Sequence, residues 1–400
     1  MRPTLFQLSQ TRLVFQLDTG ILETLEHNSN THQTEMRTLI LLVLIAAALA
    51  NPSRLMAIAK RVNSQHRSWI ASEEIPSRDY TLFMGTLPNE HPLETKHVSP
   101  RTDLPTAFDA REKWQDCPSI GEIRDQSDCA SCWAFGVVEV ATDRLCISSN
   151  GEHKESLSVE DLLECCPTCG YQCKGGYTGM AWEYVRRTGI STGGQFNTTN
   201  WCKSYPFPQC EHGDGSKYPP CSTTPPDAPK CEAKCQEGYP IPYEKDLHQF
   251  ANVYQLGGNV EEIKTEIFTN GPVDATFRVY EDFLTYKSGI YHHVEGKALS
   301  LHTVKMIGWG VENGEEYWLL VNSWNEDWGE NGLFRVRLGT NECGIEDVIE
   351  ACLPSRVCSK QCKSVPGAPS HCTSSSTAHC RRHPRTPPRP ATSPPPSAGP

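Results

Sequence analysis

Cysteine content constrains this chain more than any other feature of its sequence. Nineteen of the 400 residues are cysteine, and thirteen of these lie between Cys117 and Cys235. Cytosolic proteins keep their thiols reduced, whereas secreted and lumenal domains use disulfides to stabilise their folds. The apolar and charged fractions are those of a globular protein. We therefore expect a disulfide-bonded globular domain that folds in an oxidising compartment.

A short apolar run near the N terminus agrees with that compartment. Residues 39–50 are apolar, follow Arg37 and end in small residues, as a secretory signal peptide does. The run is shorter than the ~20 residues that span a bilayer. We expect residues 1–50 to be an upstream extension plus a signal peptide, with Met36 as the true start. The alternative is a signal anchor with a short cytoplasmic tail.

The remainder divides into three segments by composition. Residues 51–103 are polar and lack cysteine, while residues 104–354 hold most of the tryptophan, tyrosine and cysteine. Residues 355–400 are rich in Pro, Ser and Thr and carry seven Lys or Arg and no acid. Such a composition predicts a disordered tail. Its arginines have no aromatic residues between them, so we expect no nucleic-acid partner.

Cys132 is the first candidate for chemistry. It lies in DQSDCASCWAFG, and the apolar residues that follow at helical spacing place it at the N-terminal end of a helix. The helix dipole and free backbone N–H groups at such an end stabilise a thiolate. Taken alone, the two cysteines of CASC also fit a metal clip, a redox pair or a disulfide.

A thiolate nucleophile needs a base and a group that orients the base. His302 begins HTVKMIGWG, an alternating stretch that predicts a strand ending at the glycines. Asn322 follows the apolar strand of EYWLLVNSWNEDWG. A single histidine on a strand or a single asparagine before a turn is more typical of a structural role. Their combination with Cys132 is what indicates catalysis.

Together these stretches resemble the papain-type cysteine peptidases, most closely those of the cathepsin B type. The resemblance covers residues 104–354 and includes LPTAFDAR, which is similar to the family's mature N terminus. It implies an α+β, papain-like two-domain fold with a helical left domain, a β-rich right domain and the active-site cleft between them. Residues 51–103 would then be an inhibitory propeptide that runs through the cleft and is removed at low pH.

The resemblance also assigns catalytic roles. Cys132 would be the nucleophile, His302 its proton carrier, Asn322 the residue that orients the imidazole, and Gln126 the side-chain donor to the oxyanion. Trp324 would shield the bond between Asn322 and His302 from water, although a plain core tryptophan is the alternative. The chain departs from the family where glycines are common, because serine stands at 127 and alanine at 130.

Substrate-binding positions follow from the same resemblance. Gly175 and Gly176 of CKGGY would pair with the backbone of an extended substrate. Val348 would form the floor of the pocket for the second residue before the scissile bond. An apolar floor gives a buried guanidinium no partner, so we expect Leu, Val or Phe there rather than Arg. Glu346 and Glu350 flank Val348, and a one-residue shift in alignment would bring a glutamate to the floor.

The segment CEHGDGSKYPPC has the cysteines and length of the occluding loop of cathepsin B. His212 matches the first of two histidines that hold a substrate's terminal carboxylate, and Gly213 stands in place of the second. We expect His212 to pair with Asp125 and latch the loop. An anchoring arginine is replaced by Tyr218, with Lys217 beside it. These changes predict weak dipeptide release from the C terminus and comparatively strong endopeptidase activity.

Family matching leaves Cys132 unpaired and implies six disulfides: Cys117–Cys146, Cys129–Cys173, Cys165–Cys231, Cys166–Cys169, Cys202–Cys235 and Cys210–Cys221. It assigns no partner to Cys343, Cys352, Cys358, Cys362, Cys372 or Cys380. A zinc site formed by Cys129, Cys132, Cys166 and Cys169 has acceptable spacing but leaves the Gln, His and Asn stretches unexplained. A thioredoxin-like pair lacks its βαβ context.

The sequence therefore predicts a cysteine endopeptidase that acts on peptide and protein substrates, without a cofactor or metal. Its own propeptide and cystatin-type inhibitors are the other expected partners, and the mature form should have no membrane contact. Asn197 begins a glycosylation sequon, which suits a lysosomal or secreted enzyme. The DWGE run resembles that of helminth gut cathepsins that digest haemoglobin. The alternative function is a catalytically inactive homologue that acts as a secreted binding protein.

Overall fold

The computed structural model describes residues 54–65, 68–75, 80–213 and 215–354. The predicted signal segment and the predicted tail lie outside these residues. Seven α-helices occur within the described part: α1 Arg54–Ser64, α2 Ala110–Lys113, α3 Cys132–Ser148, α4 Val159–Cys165, α5 Thr178–Arg187, α6 Tyr243–Asp246 and α7 Val260–Asn270. Ten strands occur there: β1 Trp69–Ala71, β2 Thr95–Lys96, β3 Phe108–Asp109, β4 Phe250–Leu256, β5 Val273–Tyr280, β6 Tyr286–Tyr291, β7 Ala298–Glu312, β8 Glu315–Val321, β9 Leu333–Arg337 and β10 Val348–Pro354.

The strands form one mixed sheet in the order β1-β6-β9-β8-β7-β5-β10-β4-β2, and β3 pairs with β7. Two of its strands belong to the predicted propeptide. Strand β1 adds antiparallel to β6 at one end, and β2 adds parallel to β4 at the other. The propeptide therefore covers both edges of the sheet, which would otherwise present unpaired backbone groups.

Three hydrophobic clusters occur among the described residues, and the two larger ones form the main cores. The first surrounds α3, of whose 17 residues the first fifteen are buried. A helix that is apolar on nearly all sides needs cover all round, and α4, α5 and the sheet supply it. The second core lies within the sheet and includes Phe277, Phe283 and Trp318. The predicted α+β class, with a helical and a β-rich part, is confirmed.

Strand β7 is longer than the sequence predicted. The sequence predicted that the strand of His302 ends at the glycines of MIGWG, but β7 continues through them to Glu312. Gly308 pairs with Leu319 of β8 and with Asp109 of β3. Because both neighbours hold its backbone in the ladder, glycine does not end the strand here.

All six disulfides implied by the family resemblance are present in the structure. Cys132, Cys343 and Cys352 are free among the described residues. The zinc alternative is wrong, because Cys129 is bonded to Cys173 and Cys166 to Cys169. A sulfur in a disulfide is not a thiolate ligand. No helix in the described part of the chain is long and apolar enough to cross a membrane.

Candidate active site

Cys132 is the first residue of α3 and is fully buried. Burial alone would raise the pKa of its thiol, but the charge of the nearby His302 imidazole lowers that pKa to about 7, with help from Thr86. The imidazole lowers that pKa first through its charge and then through a side-chain hydrogen bond with the thiol. The thiol is therefore poised to ionise near neutral pH.

His302 and Asn322 are held together on adjacent strands. His302 lies on β7, and Asn322 directly follows β8. The Nε2 atom of His302 lies 2.8 Å from the Asn322 Oδ1, which fixes the plane of the imidazole. Trp324 covers the pair, since its ring centroid is 4.8 Å from that of His302 and both residues are buried. The Nε2 atom is thus engaged, and Nδ1 remains for the thiol.

Gln126 brings a hydrogen-bond donor to the same place. Its Nε2 donates to Cys129 O at 2.8 Å and to Phe83 O, in the predicted propeptide, at 3.2 Å. Its Oε1 accepts from the Ser323 hydroxyl at 2.6 Å, which fixes the orientation of the amide. Gln126 is fully buried. A peptide carbonyl already occupies the position where an oxyanion would be stabilised.

The predicted propeptide fills the space in front of Cys132. The Gly85 N–H donates to Cys132 Sγ at 3.1 Å, and the Thr86 hydroxyl lies 3.3 Å from the same sulfur. On one side, Gly176 N–H donates to Gly85 O and Leu87 N–H donates to Gly176 O. This places Thr86 in a parallel bridge with Gly176, next to Gly175. The glycine wall predicted from the sequence therefore binds extended backbone.

Ala130 and Gly85 form a close contact that sequence reasoning missed. A Cβ atom on Gly85 would lie 1.8 Å from the carbonyl oxygen of Ala130, so only glycine fits there. The Ala130 N–H donates to Cys173 O, which holds that carbonyl in place. The Ala130 carbonyl limits the space most closely, and the Ala130 Cβ would also lie only 2.8 Å from a Cβ on Gly85. Sequence patterns carry no signal for such a backbone contact.

Val348 is half-buried and belongs to a row of side chains across three strands. It pairs with Thr276 on β5, and Thr276 pairs with Thr303 on β7. The hydroxyl of Thr303 lies 2.7 Å from those of both Thr276 and Thr86. Thr86 of the predicted propeptide therefore contacts this row at Thr303. The threonines were not singled out from the sequence, because isolated hydroxyl residues are common everywhere.

Neither of the two glutamates that flank Val348 presents an exposed charge to this row. Glu346 accepts hydrogen bonds from Trp318 Nε1 and from the Gly339 N–H, which gives it a structural role. Glu350 lies two residues further along the same face of β10 and is fully buried. Burial raises the pKa of its carboxyl to about 7, against the smaller opposing influence of a hydrogen bond from Thr178, and burial together with Glu350 raises the pKa of the Asp274 carboxyl.

The segment between Cys210 and Cys221 is anchored at two places. His212 Nε2 lies 2.8 Å from Asp125 Oδ1, and both side chains are buried. The second anchor is Asp327, whose Oδ2 accepts from the Ser216 hydroxyl at 2.6 Å and from the Lys217 N–H at 3.1 Å. The side-chain ammonium of Lys217 forms an ion pair with Glu326 on the surface.

Asn197 and Gly213 are two further positions that were singled out from the sequence. Asn197 is exposed in a turn, where a glycan would meet no packed neighbour. Gly213 packs against backbone, since a Cβ there would lie 1.9 Å from Asp327 O. A histidine at this position, as in the two-histidine pattern, therefore requires the loop to shift.

The comparisons with known proteins agree with this geometry. Residues 104–353 match the papain family of cysteine proteases. A cathepsin B-like cysteine proteinase of Schistosoma japonicum is 50% identical over 255 residues, 64% of this chain and 75% of that protein. Cathepsin B-like cysteine proteinase 4 of Caenorhabditis elegans is 42% identical over 339 residues, 80% of this chain and 99% of that protein.

A solved structure shows the same relationship. Procathepsin B S9 from Trypanosoma congolense is 34% identical, with a TM-score of 0.64 over 75% of this chain and 98% of that one. Digestive procathepsin L 3 of Tenebrio molitor, at 21% identity and a TM-score of 0.53, shares the fold. The chain therefore belongs to the papain family of cysteine proteases and is a cathepsin B-like hydrolase.

Proposed function

We propose that this protein is a cysteine endopeptidase that uses Cys132, His302, Asn322 and Gln126, and that it is held inactive by residues 51–103. The observation that carries the proposal is convergence at one point. A thiol at a helix N terminus, an imidazole fixed by an amide and a buried amide donor meet around backbone of the propeptide. A nucleophile, an oriented base and an oxyanion donor are the groups that acyl transfer requires.

In the proposed reaction, the Cys132 thiolate attacks the scissile carbonyl carbon and forms a tetrahedral oxyanion. Gln126 Nε2 and the Cys132 N–H stabilise that charge. His302 then gives its proton to the leaving amine as the C–N bond breaks, which leaves an acyl thioester on Cys132. Water then attacks the thioester carbon while His302 accepts a proton from it, and the C–S bond breaks to release the carboxylic acid product and restore the Cys132 thiolate beside a protonated His302. Asn322 keeps the imidazole in plane throughout.

The loop between Cys210 and Cys221 makes this an endopeptidase with weakened dipeptidyl carboxypeptidase activity. His212 supplies one donor for a terminal carboxylate, and Gly213 supplies no side chain. A charge-assisted hydrogen bond contributes roughly 1.5–3 kcal/mol, so losing one lowers the preference for a free carboxylate by about tenfold to a hundredfold. Because Gly213 packs on the Asp327 backbone, replacing it with histidine is not a clean test.

Specificity before the scissile bond follows from the row that contains Val348. The row consists of a valine and two threonines, and Thr86 contacts it at Thr303. The carboxyls behind it are buried and have raised pKa values, so at acid pH they are neutral. A guanidinium would find no anionic partner there, whereas Leu, Val or Phe would bury apolar surface.

Active-site titration tests the proposed function. One equivalent of an active-site-directed epoxide should bind per processed chain, and peptide hydrolysis should fall in proportion. Cys132→Ser is the matched control, which should fold, take up no label and retain less than about a thousandth of the rate. The alternative is an inactive homologue that acts as a secreted binding protein. Absence of labelling after the propeptide is removed would favour that alternative.

The setting and partners follow from the same proposal. An apolar N-terminal run, six disulfides and an exposed sequon at Asn197 fit an enzyme of the secretory pathway, lysosomal or secreted. Peptides and proteins are its substrates, and cystatin-type inhibitors fit a cleft of this type. A digestive role in a gut lumen is part of the proposal and rests on the DWGE run, which resembles that of helminth gut cathepsins.

A further inference from the structure

Thr303 directly follows His302 on β7, and packing on two sides fixes its side chain. A Cβ atom on Gly136 of α3 would lie 2.5 Å from the Thr303 Cγ2, so this methyl group fills the space that the glycine leaves open. The Thr303 hydroxyl lies 2.7 Å from that of Thr276, its cross-strand partner on β5. Hydrogen bonds between paired threonines stabilise neighbouring strands. The orientation of the Thr303 hydroxyl is therefore set by contacts within residues 104–354.

The predicted propeptide places a third hydroxyl against this pair. Thr86 Oγ1 lies 2.7 Å from the Thr303 Oγ1 and 3.3 Å from Cys132 Sγ, and only 4% of Thr86 is exposed. The backbone of Thr86 bridges Gly176, and its N–H donates to Leu301 O at 3.3 Å. Thr86 thus shows that the position beside Gly176 accepts an extended residue with a hydroxyl side chain.

The protons of the three hydroxyls run in one direction when Cys132 is ionised. A thiolate carries no proton, so the Thr86 hydroxyl is the donor in its contact with the sulfur, and it lowers the pKa of the thiol. A hydroxyl has a single proton to donate. Thr86 therefore accepts from Thr303, and Thr303 accepts from Thr276. Thr303 thus offers a hydrogen-bond donor to the side chain that occupies the place of Thr86.

Resting on the proposed function, we propose that Thr303, supported by Thr276, selects a hydroxyl group in the substrate residue that pairs with Gly176. Threonine is then favoured there over valine. The two side chains have similar shapes and differ in one group, a hydroxyl in place of a methyl.

The row of Thr303, Thr276 and Val348 suits a side chain that carries both a methyl and a hydroxyl group. With valine in the place of Thr86, Thr303 keeps only Thr276 of its two hydroxyl partners. A site that hydrogen-bonds a substrate hydroxyl disfavours the analogue that lacks it. One neutral hydrogen bond corresponds to about fivefold in kcat/KM.

The test compares two fluorogenic peptides, Thr-Arg and Val-Arg, that are otherwise identical. The processed enzyme should cleave the Thr-Arg peptide at least as efficiently as the Val-Arg peptide, with active enzyme counted by epoxide titration. Thr303→Val keeps the methyl group against Gly136 and removes the hydroxyl, so it should lower the ratio of the two kcat/KM values by about fivefold. Thr303→Ser keeps the hydroxyl and should leave the ratio unchanged.

Thr276→Val is the matched control within the same row. Its hydroxyl contacts that of Thr303 and lies one step further from the place of Thr86. Losing it should lower the ratio less than Thr303→Val does. If Thr303→Val does not fold, Thr303→Ala removes the same hydroxyl, and the same fall in the ratio is expected.

The full-length zymogen gives a second measurement that needs no peptide substrate. An epoxide labels Cys132 only when the propeptide moves, because Gly85 and Thr86 contact the sulfur. Thr303→Val should accelerate this labelling about fivefold, since it removes one hydrogen bond that holds Thr86. Combined with Thr86→Val, it should give no further acceleration over Thr86→Val alone, because both changes remove the same bond.

A processed wild-type enzyme that prefers the Val-Arg peptide would overturn the proposal, and so would an unchanged ratio in Thr303→Val. Independent, multiplying effects of Thr86→Val and Thr303→Val on labelling would also contradict it. Failure of the proposed function gives a different result, because the processed wild-type chain would then cleave neither peptide and take up no label.

Discussion

Replacing Gln126 with alanine should slow peptide hydrolysis by about a hundredfold to a thousandfold while leaving KM nearly unchanged. The Gln126 amide is fully buried and oriented, because Ser323 holds its Oε1 at 2.6 Å. Its Nε2 already donates to a peptide carbonyl, that of Phe83, at 3.2 Å. A substrate oxyanion at the same point would carry a full charge, so the hydrogen bond would strengthen only in the transition state.

The magnitude follows from that difference. Loss of one oxyanion donor costs about 3 kcal/mol of transition-state stabilisation, equivalent to roughly two orders of magnitude in kcat. Ser323→Ala is the matched control. It removes the hydroxyl that orients Gln126 but keeps the donor, so it loses one neutral hydrogen bond of about 1 kcal/mol and roughly fivefold in rate.

The assay compares kcat and KM of the processed variants on a Phe-Arg fluorogenic peptide, with active enzyme counted by epoxide titration. A transition-state interaction lowers kcat and kcat/KM equally. The reasoning is wrong if Gln126→Ala keeps more than a tenth of the wild-type kcat. It is also wrong if Ser323→Ala loses as much as Gln126→Ala, because the effect would then be one of packing.

Three further predictions concern specificity and pH. A Phe-Arg peptide should be hydrolysed at least about tenfold more efficiently than an Arg-Arg peptide at acid pH, and equal efficiencies would refute an apolar floor at Val348. One peptide with a free and an amidated C terminus should differ by less than about tenfold in rate, whereas a strong preference for the free carboxylate would contradict the role given to Gly213. Burial raises the pKa of Glu139 to about 7, so its contribution to stability is complete below its ordinary pKa and is lost as pH rises through 7. Glu139→Gln should therefore reduce the fall in Tm between about pH 5 and pH 8, and an unchanged fall would show that Glu139 is not responsible.

Local patterns predicted the elements that carry the chemistry, because each has a strong periodic signal. The helical spacing after Ala134 gave α3, and the apolar stretch before Asn322 gave β8. Side-chain roles and disulfide pairs came from the family resemblance, since spacing alone permits many pairings. All six disulfides are present in the structure, yet no periodic pattern in the sequence encodes which cysteines pair.

What the sequence did not reveal depends on backbone contacts between distant segments. The requirement for glycine at 85 comes from the carbonyl of Ala130, and the segment between Cys210 and Cys221 is anchored at Asp327 through a serine hydroxyl and a backbone N–H. The continuation of β7 through Gly308 depends on partners on both sides. None of these contacts requires an unusual residue type at both partners, so composition and motif give no warning of them.

The geometry of the propeptide explains how it occupies the cleft without being cut. Attack requires that one peptide group present its carbonyl carbon to the sulfur and its oxygen to Gln126. In this structure two different peptide groups make these two contacts. The carbonyl of Phe83 accepts from Gln126, whereas the Gly85 N–H donates to the Cys132 sulfur. The Cys132 sulfur is thus hydrogen-bonded to a backbone N–H of the predicted propeptide. In the proposed zymogen, inhibition arises from how residues 83–86 are positioned along the cleft, where they contact the groups proposed to cleave a substrate.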